Sequence, residues 1–172
     1  MPRNLKMSEE KNNQPQLPPT SALDNPSNQE FDNWFEYPIR VQPHHTDYAG
    51  IVWHGSYLTW MEEARVECLR SIGIEFADLV ALGCDLPVVE LSVRYHRSIP
   101  LGMSAVVKTR MAEVTGVRIN WDYAIVSPDG QQLYVTAKVT LVALDRERGK
   151  IMRQLPPNVK DALAKVSALN NN

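Results

Sequence analysis

The stretch HTDYAGIVWHGSYLTWMEEAR, residues 45–65, changes character halfway along, and that change decides how the chain folds. Its first half places a His and an Asp before Ala49-Gly50, the small-residue composition of a tight turn. Its second half carries Tyr57, Leu58, Met61 and Ala64, and the same spacing continues through Cys68, Leu69 and Ile72. Thr59, Glu62, Glu63, Glu67 and Arg70 fall on the other side, so the spacing predicts one long amphipathic helix over 56–72, with Gly73 as its stop. An acid, Asp47, therefore stands just before a turn that feeds a helix N-terminus, where backbone N–H groups have no partners of their own.

Working outward, FDNWFE at 31–36 brings in aromatics and marks the start of the folded part. YPIRVQ then alternates, with Tyr37, Ile39 and Val41 on one face, and Pro38 suits an edge strand. Beyond the helix the period becomes two. LPVVELSVRYHR sets Val89, Leu91, Val93 and Tyr95 against Ser92, Arg94 and His96, and SAVVKTRMAEV follows as a further strand. VRINWDYAIV sets Val117, Ile119, Trp121, Tyr123 and Ile125 against Arg118, Asn120 and Asp122. After the SPDG turn at 127–130, Leu133, Val135, Ala137, Val139, Leu141 and Ala143 share a face. DRERGK reads as a charged turn and PPNVKDALAKV as a short terminal helix with Pro157 in its first turn. A repeated apolar sheet face needs a cover, and the long helix is the element able to supply it. The expected fold is α+β, an antiparallel sheet wrapped around one central helix.

With 172 residues, 44% hydrophobic and 22% charged, the chain fits one globular domain at 33–167. A net charge of -2 gives no general reason to expect nucleic acid or an acidic membrane as partner. Two cysteines, Cys68 and Cys84, are too few for a disulfide framework and suggest a reducing, cytoplasmic setting. Residues 1–32, rich in Asn, Gln, Pro, Ser and Glu, read as a flexible extension with no apolar run for a membrane span, and 168–172 as a frayed end.

The opening stretch resembles the acyl-CoA thioesterases of the 4-hydroxybenzoyl-CoA thioesterase type, including the YbgC-like branch. Asp47, Ala49-Gly50, Ile51-Val52, His54, Tyr57, Glu62 and Arg65 match that pattern in order and spacing, and the likeness extends over roughly 36–157. The resemblance implies the hotdog fold, with Asp47 as the catalytic carboxylate, either nucleophile or general base. It also implies that the backbone N–H of His54 polarises the thioester oxygen while Gly55 eases substrate approach. The His54 side chain then lines the pocket or orients water. Tyr48 and Trp53 fall on the substrate side, with Trp60 and Met61 either lining an acyl tunnel or packing the core.

Each assignment has a plainer counterpart. Asp47 can simply cap its loop through backbone N–H groups. Glu62 and Arg65, three apart on a helix, form a default ion pair or support the site. Arg94, Arg97 and Arg118 suit the phosphates of CoA or a solvated strand face. His44, His45, Asp47 and His54 are candidate metal ligands, but adjacent histidines on an extended segment point apart, so no metal and no organic cofactor is expected. A single sheet with one helix leaves edges bare, so a homodimer or homotetramer is expected. Two rival functions stay open: a hotdog hydratase or dehydratase on acyl-CoA or acyl carrier protein, and a non-catalytic acyl-CoA-binding module.

Overall fold

The structure, a computed structural model, describes residue 31 and residues 33–81 and 83–169. The extension expected at 1–32 lies outside the described residues except for Phe31, which packs into the fold. The frayed end expected at 168–172 is helical up to Leu169, and 170–172 lie outside.

Helix α1 runs His54–Ser71, two residues earlier than its apolar pattern. It buries Tyr57, Trp60, Met61, Ala64, Cys68 and Leu69 on one side. Its end is a Schellman cap: Gly73 N donates to Arg70 O and Ile74 N to Leu69 O, at 2.9 and 3.0 Å, with Gly73 at φ 78°. The buried Ile74 completes that cap, and the short helix α2 (Phe76–Ala81) follows.

Strands β1 (Phe35–Arg40), β3 (Val88–Tyr95), β4 (Ser104–Thr115), β5 (Arg118–Val126) and β6 (Leu133–Val142) form one antiparallel sheet in the order β1-β4-β5-β6-β3. Its inner face wraps α1, and Val107, Met111, Trp121, Tyr123, Ile125 and Val135 share one core with the helix's buried side chains. Ala64, with no exposed surface, lets helix and sheet approach closely. This is the expected hotdog arrangement. Pro38 lies on an edge strand, where its missing N–H costs no ladder bond. Strand β2 (Cys84–Asp85) forms a small second sheet with β7 (Leu144–Asp145) and β8 (Lys150–Ile151). Helix α3 (Pro157–Leu169) buries Val159, Leu163 and Val166, an i, i+4, i+7 stripe.

Two expectations about the sheet change. Leu133 does not share the face of Val135, because Val126 pairs with Leu133 while Ile125 pairs with Val135. The extra residue, Tyr134, is a bulge, and a bulge moves whatever precedes it to the other side. Leu133 therefore joins Phe31, Trp34, Ala124 and Val126 in a cluster on the outer face. Second, β3 is an edge, and most of its expected inner face stays open: Val89, Leu91 and Tyr95 are each more than 40% exposed, while Val93 packs against the core.

Candidate active site

Thr46 and Val52 bridge across the loop, so residues 46–52 close as a tight hairpin. Asp47 N donates to Ile51 O at 2.8 Å and Gly50 N to Asp47 O at 3.1 Å. Gly50 has φ 72°, a left-handed turn position that side chains disfavour. The Asp47 carboxylate bends back over the turn, its Oδ1 accepting from Ala49 N at 2.9 Å and Ile51 N at 3.2 Å. The capping role is thus realised, and it leaves the other oxygen, Oδ2, without a hydrogen bond among the described residues. An acid gripped by one oxygen and open at the other is oriented without being consumed.

The hairpin is tied to the helix start. The His45 carbonyl accepts from Trp53 N at 2.9 Å and from Ser56 Oγ at 2.8 Å. From the β3–β4 loop, Ile99 O accepts from Val52 N and Leu101 N donates to Gly50 O, both at 2.9 Å. Trp53, the N-cap residue of α1, provides no side-chain cap, and the first turn holds no acid. Ser56 N is satisfied by Trp53 O at 2.9 Å. The amides of His54 and Gly55 have no intrahelical acceptor, so the positive end of the helix remains available to a developing negative charge. Tyr95 Oη reaches His54 O at 3.4 Å and joins β3 to this corner.

Tyr48 projects fully into solvent at the hairpin tip, and Trp53 is 52% exposed. The indole of Trp53 lies over Gly55, so closely that a Cβ there would stand 2.1 Å from its ring. Any side chain at 55 would therefore have to displace the indole. Arg94 and Arg97 are exposed on either side of Tyr95 and His96, at the helix-start end of β3. Arg118 is not brought to this end. It faces Glu90 at 4.0 Å, five residues from Tyr95 along β3, or roughly 16 Å at the usual strand rise.

Glu62 is exposed and does not pair with Arg65, which turns inward instead. Arg65 is only 6% exposed, and its Nη1 donates to Tyr123 Oη at 3.0 Å while Nε has no acceptor among the described residues. The helix surface offered a partner; the core took the side chain. Trp60 and Met61 are core residues. His44 and His45 do not lie on an extended segment either: Pro43–His45 is a 3-10 turn, and their rings meet edge to face at 4.0 Å. Among the described residues no three His, Cys, Asp or Glu side chains converge. His96 sits on the sheet, its Nε2 2.9 Å from Thr136 Oγ1.

Burial sets the remaining electrostatics. It pushes the Tyr57 phenol up to about 12 and the Cys68 thiol up to about 11, so neither ionises near neutrality. Cys84, also buried, is raised for the same reason, and both thiols are free. Ser56, Tyr95 and the 99–101 loop were not singled out from sequence. Ser56 left a signal as a small hydroxyl in the first helical turn, and Tyr95 left one only as part of the β3 alternation.

A protein of Synechocystis sp. named as an esterase is 57% identical over 158 residues, covering 88% of this chain and 95% of its own length. The acyl-CoA thioesterase YbgC of Haemophilus influenzae is 31% identical over 117 residues, 67% of this chain and 86% of its own. The crystal structure of a DHNA-CoA thioesterase from Staphylococcus aureus superposes with a TM-score of 0.71 at 31% identity, covering 80% of this chain and 93% of that one. The family model described as the thioesterase-like superfamily matches residues 41–165, which span the hairpin, α1 and every strand of the main sheet except β1, and the chain belongs to that family.

Proposed function

We propose that this thioester hydrolase cleaves acyl-CoA to a free acid and CoA, with Asp47 as the reacting carboxylate and the His54 amide as oxyanion donor. One observation carries the reading: a carboxylate fixed through Oδ1 and open at Oδ2, on a hairpin pinned to an uncapped helix start. A thioester carbonyl is already electrophilic, so it needs an aimed nucleophile and stabilisation of the developing charge. Loss of one oxyanion donor typically costs about 2.7–4 kcal/mol. Two routes balance. Asp47 attacks the carbonyl, expels the CoA thiolate and leaves a mixed anhydride that water hydrolyses, or it takes a proton from the water that attacks directly. In either route the His54 side chain and Trp53 border the acyl group, Gly55 keeps the approach open, and Arg94 and Arg97 face the CoA phosphates.

The bare edge of β3 supports a homodimer, because an exposed apolar edge strand is a ready template for a second copy. Sedimentation at the mass of one chain would exclude that pairing.

The test is release of free thiol from acetyl-, palmitoyl- and benzoyl-CoA, with wild type beside Asp47→Asn. Turnover by the wild type and a loss of about a hundredfold or more in the folded variant are expected. A variant at near-full rate would remove Asp47 from the chemistry. Binding without thiol release would favour the acyl-CoA-binding rival.

A further inference from the structure

His45 belongs to neither half of the proposed chemistry, yet every polar group it owns apart from Nε2 is committed. Its N–H donates to Gln42 O at 3.0 Å, closing the 3-10 turn. Its carbonyl takes both Trp53 N and Ser56 Oγ, which fixes where α1 begins. Its Nδ1 accepts from Gln42 N at 3.0 Å. The ring stands edge to face against the fully buried indole of Trp60, with centroids 5.1 Å apart. Asp47 follows two residues later, so the same residue sets where the hairpin leaves and where the helix starts.

We propose that His45 is a positioning residue for catalysis, whose neutral imidazole, accepting at Nδ1, holds the Asp47 hairpin and the α1 N-terminus in one fixed geometry. The inference rests on the reading of Asp47 and the helix start as the site. An acceptor at Nδ1 requires the neutral ring with its proton on Nε2. Protonation would set an N–H against the Gln42 N–H, and the turn would have to open. Small displacements of reacting groups are expensive, about a hundredfold in rate for 1 Å. Burial against Trp60 opposes protonation, His44 from the same turn adds to that, and Glu63 from α1 works against it. Tyr37, on β1, reaches this corner only through its bond to Glu63. The carbonyl contacts belong to the backbone and survive substitution; the Nδ1 contact and the ring's seat do not.

The distinguishing measurement is kcat and KM against pH from 5 to 8.5. It uses the full-length wild type, His45→Asn, His45→Leu and Asp47→Asn, with whichever of the three acyl-CoAs turns over fastest. Asn offers Oδ1 where Nδ1 stood and does not titrate, whereas Leu fills the seat and offers no acceptor. Wild-type kcat should fall in acid, with the fall centred below the ordinary histidine value of about 6.5 because burial holds His45 beneath it. His45→Asn should keep kcat within about threefold at pH 8 and lose that acid fall, while His45→Leu loses about tenfold or more in kcat with KM little changed. An acid fall that persists in His45→Asn overturns the proposal, and so does a folded His45→Leu with wild-type kcat. If His45→Leu fails to fold, the His45→Asn profile decides alone. An active Asp47→Asn removes the site itself and the inference with it. An inactive Asp47→Asn beside a wild-type-like His45→Leu removes the inference only.

Discussion

Gly55→Ala asks the most of the corner where Trp53 folds over the helix start. The new Cβ would stand 2.1, 2.4 and 2.7 Å from three atoms of the indole ring, so the ring must leave its seat. Trp53 is 52% exposed, so displacement uncovers roughly half of a tryptophan, about 100 Å² if full burial is about 200 Å². At about 25 cal/mol per Å² that is at most about 2.5 kcal/mol. Alanine in a helix returns up to about 1 kcal/mol relative to glycine. The net loss is about 1.5 kcal/mol, or roughly 3–6 °C in Tm for a domain of this size. The sign reverses once the indole is gone: in a Trp53→Ala background, Gly55→Ala should stabilise. Calorimetry on the two single variants and the double variant completes the cycle. If Gly55→Ala stabilises the wild type, or costs the same in both backgrounds, the indole is not seated on Gly55.

Arg65 yields a second expectation. Arg65→Met removes a bond of about 1.5–3 kcal/mol to Tyr123 and also an orphaned buried donor of about 1–3 kcal/mol, so it should fall within about 1.5 kcal/mol of the wild type. Arg65→Ala leaves a void as well and should cost more than about 3 kcal/mol; urea unfolding that finds the two equally damaging would show that the charge itself matters. The third concerns acid. His45 and His96 are both held below the ordinary value of 6.5, mainly by burial, so between their folded and unfolded values the unfolded chain binds more protons. Stability should be fully present above about pH 6.5 and decline as pH falls below it, less steeply in His45→Asn; a Tm constant from pH 7.5 to 5.5 would contradict that sign.

The periodic parts of the molecule could be read directly from sequence. Helix α1 announced itself through Tyr57, Met61, Ala64 and Cys68, and β5 and β6 through alternation, because both patterns record burial against one neighbour. The misses share a cause. The bulge at Tyr134 moved Leu133 across the sheet, and no period carries the mark of a single inserted residue. Val89 and Leu91 looked like core, yet they lie on an edge that this chain alone does not cover. Arg65 was assigned to Glu62 because surface spacing is visible in sequence and a hydroxyl across the core, Tyr123, is not. In the candidate site, Asp47 and the helix start stand out together in sequence because they are contiguous. The part played by His45 could not, since it depends on a 3-10 turn where the residues suggested an extended segment.

Contiguity has a consequence for how such a protein can change. Asp47, its turn and the amides of α1 come from one short run of chain cross-braced by local bonds, so their relative placement depends little on the register of distant strands. The walls around that corner come from elsewhere, from β3, the 99–101 loop and any second copy. Substitutions there can reshape what the corner accepts while the chemistry keeps its geometry. On the proposed reading, change can therefore act on the two separately, on the Asp47 corner and on its container, within a single small sheet and helix.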